Sequence, residues 1–586
     1  MNIYAVDFET YYDSGYSLTV LGPDAYCWDT RFNPYLVAIS GSDGLRYNGP
    51  LHTAPWAQMA GQHWVSHNAR FDETVALNTT IPARPALWDC TADLSCGLRG
   101  PRSLKDAAYA WLGKAVDKSE RDRAKGKVPV PDQAMCDYAQ KDADLCLQLW
   151  QQLSPDWPAM ERRISRETRT MGRHGIGVDR ERLERDIQAL QEEKFDAEKS
   201  IPWADGEAAI LSHNNVRLAC REAGIPAPAS LSEDDERCAQ WETQYGDQYP
   251  FVGALRRWRK ANTLLKKAEA VRRRINPVTG RMAYTLKYFG AHTGRFAGAD
   301  GINMQNLPKY PYVTASGHGV DARAWFHAAP GKKFAVVDLA QIEARILLWL
   351  VGDAVTLDLV RSGVSVYEAH ARATMGWTGG ELKTERRDLY DLAKARVLGL
   401  GYGCGAKKFV TLAQIYGITL TEAQALEAVQ AYRASNPLVT QFWQRCQEWL
   451  LWAARAKEDL NVKLKSGRAL SYFDFHSLPS DRPGGRMDLR ARTTRNGNLT
   501  RIYGGLLTEN IVQATARDLF MDGYLRLIDA GLPPVLHVHD EYVCEVPEDS
   551  SKKDLQEIER IVTLSSSWAD GLPVGVEGQL RNEYFK

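Results

Sequence analysis

The sequence predicts a multidomain α/β protein, and three observations carry that prediction. The chain has 586 residues, about four structural units at roughly 150 residues each. At its start Ile3, Ala5, Asp7 and Glu9 alternate with Tyr4, Val6 and Phe8, the two-residue period of a β-strand. Far downstream, FAVVD (334–338) runs into a helical pattern, and PVLHVHDEYVCEV (534–546) reads as two strands about a tight turn.

Between these landmarks the elements follow in order. Short strands and helices fill the chain to about residue 153, and SPDWP (154–158) is expected to be a linker, since two prolines interrupt periodic structure. From 159 to 275 the pattern is helical and charged, and 256–274 carries nine Lys/Arg against one acid, Glu269. NPVTG (276–280) is a turn, and helices are expected from about 355 to 455. No internal repeat or low-complexity tract is present.

Composition narrows the function classes. Hydrophobic residues at 44% and charged residues at 25% exclude a wholly disordered chain. Lys+Arg and Asp+Glu are both 73, which excludes a uniformly basic nucleic-acid coat but allows separate patches of either sign. The ten cysteines are scattered, and Cys90 and Cys96 have no second pair beside them; reduced thiols in a cytosolic setting are expected rather than zinc or disulfides. No apolar run nears the roughly 18 residues of a membrane span, and the acidic start MNIYAVDFET does not fit a secretory signal.

Asp7 and Glu9 leave the same face of their strand. Two carboxylates so close repel unless a cation lies between them, and a divalent metal is the usual answer; taken alone, a solvated strand end explains them as well. Asn68-Ala-Arg-Phe71-Asp72 adds a third carboxylate, and Tyr138 and Asp142 share a helix face at i, i+4. A tyrosine beside a metal-bound carboxylate can position a water for in-line attack on phosphorus.

The ordered set Asp7/Glu9, Asn68…Asp72, Tyr138…Asp142 resembles the DnaQ-like 3′–5′ proofreading exonucleases over about the first 150 residues. The resemblance implies an RNase H-like domain in which Asp7, Glu9, Asp72 and Asp142 hold two metals and Tyr138 orients the nucleophilic water. Tyr11 and Phe71 are candidates for stacking on a frayed primer end, with core packing the alternative for Phe71.

Asp338 ends the FAVVD strand and Asp540 lies in the turn of the final hairpin. Either one alone could simply cap a turn. Their surroundings, TGRFAGADGINMQNLP (293–308), DLAQIEAR (338–345), KARVLGLGYG (394–403) and HVHDEYV (537–543), resemble family A, the DNA polymerase I family, in that family's order. Its phage members are the nearest in kind, and no 5′ nuclease domain is expected. The implied architecture is an exonuclease domain at 1–155, then a right hand with thumb at 156–290, palm at 291–350, fingers at 351–435 and the rest of the palm at 436–586.

The resemblance also assigns roles. Asp338, Asp540 and the Leu339 carbonyl are implied ligands of two divalent ions, which activate the primer 3′-OH and stabilise pyrophosphate. Glu541 is an outer candidate. Gln341, Glu343, His370, Arg387, Lys394, Leu398 and Tyr402 are implied contacts to the deoxynucleotide, with Glu343 as the steric gate against a 2′-OH. Arg387 and Lys394 lie seven apart, two helical turns on one face. Two departures stand out. Tyr390 occupies the position of the family's second helix arginine, which Arg386 or Arg387 is expected to replace. Leu398 replaces an aromatic residue that governs dideoxynucleotide handling.

Arg295, Asn306, Gln513 and His539 match positions beside the primer–template minor groove, where a donor can test pair geometry without reading sequence. The basic run 256–274 is expected to neutralise phosphates. The expected cofactors are two divalent cations per site, Mg²⁺ in both, with Mn²⁺ or Zn²⁺ as alternatives in the exonuclease site. The expected partners are primer–template DNA and dNTPs, with no membrane; a monomer in the cytoplasm of a bacterial host is expected. A nuclease-dominant enzyme whose polymerase half mainly grips DNA is the competing reading.

Overall fold

The computed structural model describes residues 1–117, 119–127, 131–232, 235–480 and 487–584. Two sheets, the first mixed and the second antiparallel, each with helices on its faces, position the predicted carboxylates. The first has the order β3-β2-β1-β4-β5. Its strands are β1 (Ile3–Thr10), β2 (Pro34–Gly41), β3 (Arg46–Gly49), β4 (His63–Ser66) and β5 (Leu87–Cys90). β2 is antiparallel to β1 and β3, whereas β4 is parallel to β1 and β5. The alternation of β1 sends Tyr4, Val6 and Phe8 into one core with Ile39 and Trp64. Helix α1 (Ala69–Leu77) follows β4. Helix α2 (Gln133–Leu153) starts where the Asp132 carboxylate accepts the Met135 N–H at 2.9 Å, an N-cap that satisfies an orphan donor. Met135, Ala139 and Ala143, at helical spacing, bury against Leu36 and Ala38 of β2.

The expected linker is a correction. Ser154–Asp156 forms a tight 3₁₀ turn and Trp157 is 1% exposed. The Trp157 ring packs edge-on against Trp150 and Tyr288. A bulky indole between two prolines has more to gain from burial than from solvent. One hydrophobic core therefore runs from Ala5 and Val65 of the first sheet through Trp157 to Phe334, Val337 and Tyr542 of the second.

Helices α3 (Ala159–His174), α4 (Arg180–Glu198) and α5 (Pro250–Arg274) come next. Leu183, Ile187 and Leu190 of α4 share a core with Ala261, Leu264 and Leu265 of α5. The basic run on α5 is largely engaged within the protein. Arg256 pairs with Glu242, Arg257 with Asp196, Lys266 with Glu207 and Arg272 with Glu184. Arg274 is buried and donates to the carbonyls of Val20 and Asp300. The excess of cations on one helix is offset by acids on its neighbours, as zero net charge requires of the chain as a whole.

The second sheet is antiparallel with the order β7-β8-β6-β9, built from β6 (Lys332–Leu339), β7 (Pro534–Val538), β8 (Glu541–Pro547) and β9 (Val576–Arg581). Helix α6 (Ile342–Val351) leaves β6 directly. Helices α7 (Val366–Thr374), α8 (Arg387–Ala395) and α9 (Pro437–Ala456) follow, and α10 (Gly504–Asp529) packs behind the sheet, with Phe520 stacked on Tyr542 at 4.0 Å. Residues 460–501 hold a further four-stranded antiparallel sheet that the sequence patterns did not announce. Among the described residues no helix is long and apolar enough to cross a membrane.

Candidate active sites

At the first site β4 pairs with β1 only along Ile3–Ala5, so Asp7 and Glu9 project past the end of their parallel neighbour. They open into a cleft of about 610 Å³ whose walls include Tyr138 and Asp142, one turn apart on α2. Asp72 does not line the cleft. It is 2% exposed behind β1, where its carboxylate accepts the Phe8 N–H at 3.2 Å, and its charge still acts on Asp7. Asn68, four residues earlier, has φ 74°, a left-handed turn that Asn tolerates better than most residues.

The electrostatics of this cluster are unbalanced. Burial, then the charges of Glu9, Asp142 and Asp72, push the Asp7 carboxyl well above its usual range. Burial and Asp142 push Glu9 up to about 7. Burial also raises Asp72, against the pull of the Phe8 N–H. The Tyr138 phenol is raised by burial and by Asp142, to which it is hydrogen-bonded. Arg121 opposes this repulsion; it lines the same cleft with its guanidinium 5.8 Å from the Tyr12 ring. Half-buried and buried carboxylate oxygens that repel one another are the donor set that hard divalent cations take, so the residues fit metal binding. Among the described residues no three such groups are gathered about one point. Phe71 lines the cleft and meets Tyr26 edge-on at 6.2 Å. Tyr11 instead stacks on Tyr16 and donates to Asp13. The far wall comes from the chain beyond α5, through Leu286, Lys287, Ala299 and Asp300.

At the second site the hairpin places the acids. Val538 pairs with Glu541, leaving His539 and Asp540 as a two-residue turn, with His539 at φ 54°. Asp338 lies opposite Glu541 on one side and Glu577 on the other, and the Leu339 N–H donates to the Asp540 carbonyl at 2.9 Å. Asp338, Leu339, Gln341, Glu343, Leu398, His539, Asp540 and Glu541 line one pocket of about 260 Å³. Arg295 reaches it by pairing with Glu343 and lies 3.9 Å from Asp540. Glu541 is buried and accepts the Tyr584 hydroxyl at 2.7 Å, which ties it to the sheet. Gln341, at φ 55°, accepts the Val366 N–H at 2.8 Å and so anchors the start of α7.

Other predicted contacts fall elsewhere. His370 is 5% exposed, tilted against Tyr432 and close to Thr374, and burial with Arg396 nearby pushes it down to about 3. Arg387, 63% exposed, pairs with Asp391, and Arg386 pairs with Asp388. Tyr390 packs edge-on against Tyr367. The Lys394 ammonium lies 5.2 Å from the Tyr416 ring. After α8 the chain makes a π turn over Arg396–Leu400. This wider turn breaks the regular face expected from Lys394 through Leu398 to Tyr402. Tyr402 is half-buried, its phenol raised by desolvation and by Glu343 and Glu509. His539 and Arg295 share a second, water-sized void beside Asp540. Gln513 donates to Glu509, and Asn306 is exposed at the end of a 3₁₀ turn; neither lines that void.

Sequence reasoning missed Arg121 in the first cleft, Arg323 in the wall of the second pocket, and Glu577 and Tyr584 beside its acids. Arg121 sits in a mixed-charge helix, Ser119–Ala124, with no periodic signal. Glu577 could have been found by pairing its strand with FAVVD.

Residues 231–584 match the family described as DNA polymerase family A, and residues 57–157 match a 3′–5′ exonuclease family. The DNA polymerase of Bacillus phage SP02 is 32% identical over 369 residues, 56% of this chain and 56% of that protein. DNA polymerase I of Pseudomonas aeruginosa is 26% identical over 544 residues, 86% of this chain and 54% of that protein. The chain thus spans about half the length of these curated relatives. A solved structure, the POL domain of Pol1 from M. smegmatis in complex with DNA primer-template and dNTP, aligns with TM-score 0.70 at 20% identity, covering 100% of this chain and 95% of that one; at that identity the match speaks for the fold. With the two carboxylate-bearing sheets and a family match over residues 231–584, the chain belongs to DNA polymerase family A.

Proposed function

We propose that this protein is a template-directed DNA polymerase with a proofreading 3′–5′ exonuclease, serving phage genome replication in the cytoplasm of a bacterial host. The observation that carries the reading is the pair of separate acid-lined cavities, one with Asp7, Glu9 and Asp142, the other with Asp338 and Asp540. Its domains are an exonuclease over 1–155, a thumb over 156–290, a palm over 291–350 and 436–586, and fingers over 351–435.

Asp338, Asp540 and the Leu339 carbonyl are the candidate metal ligands of the palm, and Asp7, Glu9, Asp72 and Asp142 those of the exonuclease. Two Mg²⁺ ions in each site supply charge neutralisation and an activated oxygen nucleophile. Around them, Glu343 closes the space beneath the sugar and Arg295 holds that carboxylate. His539 and Arg295 face the primer end, with Gln513 and Asn306 further along the duplex. Arg387, Lys394 and Tyr402 complete the nucleotide side once the fingers close, a step in which the exposed Arg387 exchanges Asp391 for phosphate. In the exonuclease cleft Tyr138, bonded to Asp142, orients the attacking water, and Phe71 meets the terminal base. Primer–template DNA and dNTPs are the substrates, and the protein acts as a monomer.

Primer extension with Mg²⁺ tests the reading. Wild-type protein extends a templated primer. Asp338→Ala or Asp540→Ala lowers extension at least about a thousandfold, the scale of losing a metal-held charge, and leaves trimming of a single-stranded 3′ end. Asp7→Ala with Glu9→Ala does the reverse. Trimming at the wild-type rate by that double variant would overturn the exonuclease assignment.

A further inference from the structure

The loop that carries Arg295 is held from behind by two arginines, Arg517, which is buried, and Arg468, which is partly so. Ala291 to Arg295 is a tight turn in which the Ala291 N–H donates to the Arg295 carbonyl at 3.0 Å and the Gly294 N–H to the Ala291 carbonyl at 2.9 Å. Gly294 has φ 92°, and a Cβ there would meet the Arg468 guanidinium at 2.8 Å, so the loop lies directly on its support. Arg468 donates to the Thr293 carbonyl at 2.8 Å and is held by Asp518 at 2.8 Å. Arg517 donates through Nε to the Gly294 carbonyl at 3.0 Å, while its Nη2 reaches Glu161 at 2.8 Å. Glu161 also accepts the Tyr288 hydroxyl at 2.7 Å. The rings of Tyr288, Phe289 and Phe296 surround the Arg517 guanidinium at 5.3 to 5.7 Å.

We infer that Arg517, aimed by Glu161, is a positioning residue that fixes Arg295 and through it the orientation of the Glu343 carboxylate. The inference rests on the polymerase reading above. Its physical content is a division of labour within one guanidinium. The Nη edge is taken by buried carboxylates, Glu161 and, at 3.3 Å, Asp518, so the Nε–H points at the carbonyl of the residue before Arg295. Arg295 in turn pairs with Glu343 and lies 3.9 Å from Asp540, so a displaced loop shifts the gate and the primer-end contact together. Glu161 comes from α3, which also grips the first unit: Arg169 pairs with Glu73 of α1 and Arg166 with Asp89 of β5. The gate is thereby referenced to a helix that is itself bolted to the exonuclease unit.

Arg517→Lys is the selective test. An ammonium can still neutralise Glu161 but cannot also present a second, fixed N–H to Gly294. The partner test is Arg517→Met with Glu161→Leu, which removes both buried charges at once and so keeps the fold. Both variants are expected to keep the wild-type Tm within a few degrees and to trim single-stranded DNA within about twofold of wild type. In both, kcat/KM for correct dNTP insertion falls about tenfold, the scale of one charge-assisted hydrogen bond. Deoxyribonucleotide preference over ribonucleotide falls with it. Arg517→Lys that inserts and discriminates like wild type overturns the inference, as does a loss of both activities in step with a lower Tm in both variants. Wild-type protein that extends no primer overturns the polymerase reading itself, a result distinct from wild-type extension with unaltered discrimination in the variants.

Discussion

At the scale of single residues, left-handed backbone marks the acids. Asn68, Gln341 and His539 all have positive φ, and each lies within four residues of a candidate metal ligand, Asp72, Asp338 or Asp540. Such positions cost roughly 1–3 kcal/mol and persist where the surroundings over-determine them. The acids were legible in the sequence because strand ends and a two-residue hairpin fix their direction. Partners such as Tyr584 for Glu541, or Arg121 for Asp7, were not, because they arrive from distant, unpatterned segments. The Glu343 assignment yields a sharp expectation. Glu343→Ala opens the space beneath the sugar and frees Arg295, so ribonucleotide insertion rises by about 10- to 100-fold, the worth of one steric and polar rejection. Competition between a dNTP and the matching rNTP in single-turnover insertion measures it, and an unchanged ratio removes Glu343 from the role.

At the scale of elements, β1 places charge where only a cation can relieve it. The Glu9 carboxyl is raised from 4.5 to about 7 and Asp7 and Asp72 are raised with it. A carboxyl whose folded pKa lies above its unfolded value binds its proton more tightly when folded. It therefore contributes stability that is complete below about pH 4.5 and is lost as pH rises through about 7. Metal-free protein is expected to lose Tm across that window, and Mg²⁺ to restore more of it at pH 8 than at pH 5. Glu9→Gln should raise the metal-free Tm at pH 8, by about 1 °C for each kcal/mol of relief in a chain of 586 residues, and blunt the Mg²⁺ effect. Differential scanning calorimetry with and without Mg²⁺ reads both; a flat metal-free profile would count against the burial of these charges. Among the elements, β1 followed from apolar alternation, β6 from the apolar run FAVVD and the final hairpin from two strand-like runs about a tight turn. The sheet at 460–501 did not, because its long strand Ala469–Pro479 turns mostly polar, exposed residues outward in its second half. The π turn after α8 is likewise invisible to a 3.6-residue pattern.

At the scale of the molecule, the two units share one interior. Trp157 was expected in a linker, yet among the described residues it is one of the most deeply buried large side chains. Composition could suggest a break there but not the indole-sized hole that fills it. Trp157→Ala is expected to cost about 3–5 kcal/mol, read from urea unfolding, and to depress synthesis and trimming together as temperature rises. Loss of one activity alone, with the unfolding midpoint unchanged, would show that the units fold separately. The stretch from Tyr284 to Asp300 has a related meaning. Leu286 and Lys287 wall one chamber while Arg295 reaches the other, so this ribbon belongs to both. Anyone building a chimera with a relative's exonuclease or polymerase half would therefore have to decide which parent donates the ribbon, and a splice made inside it would damage both halves of the graft.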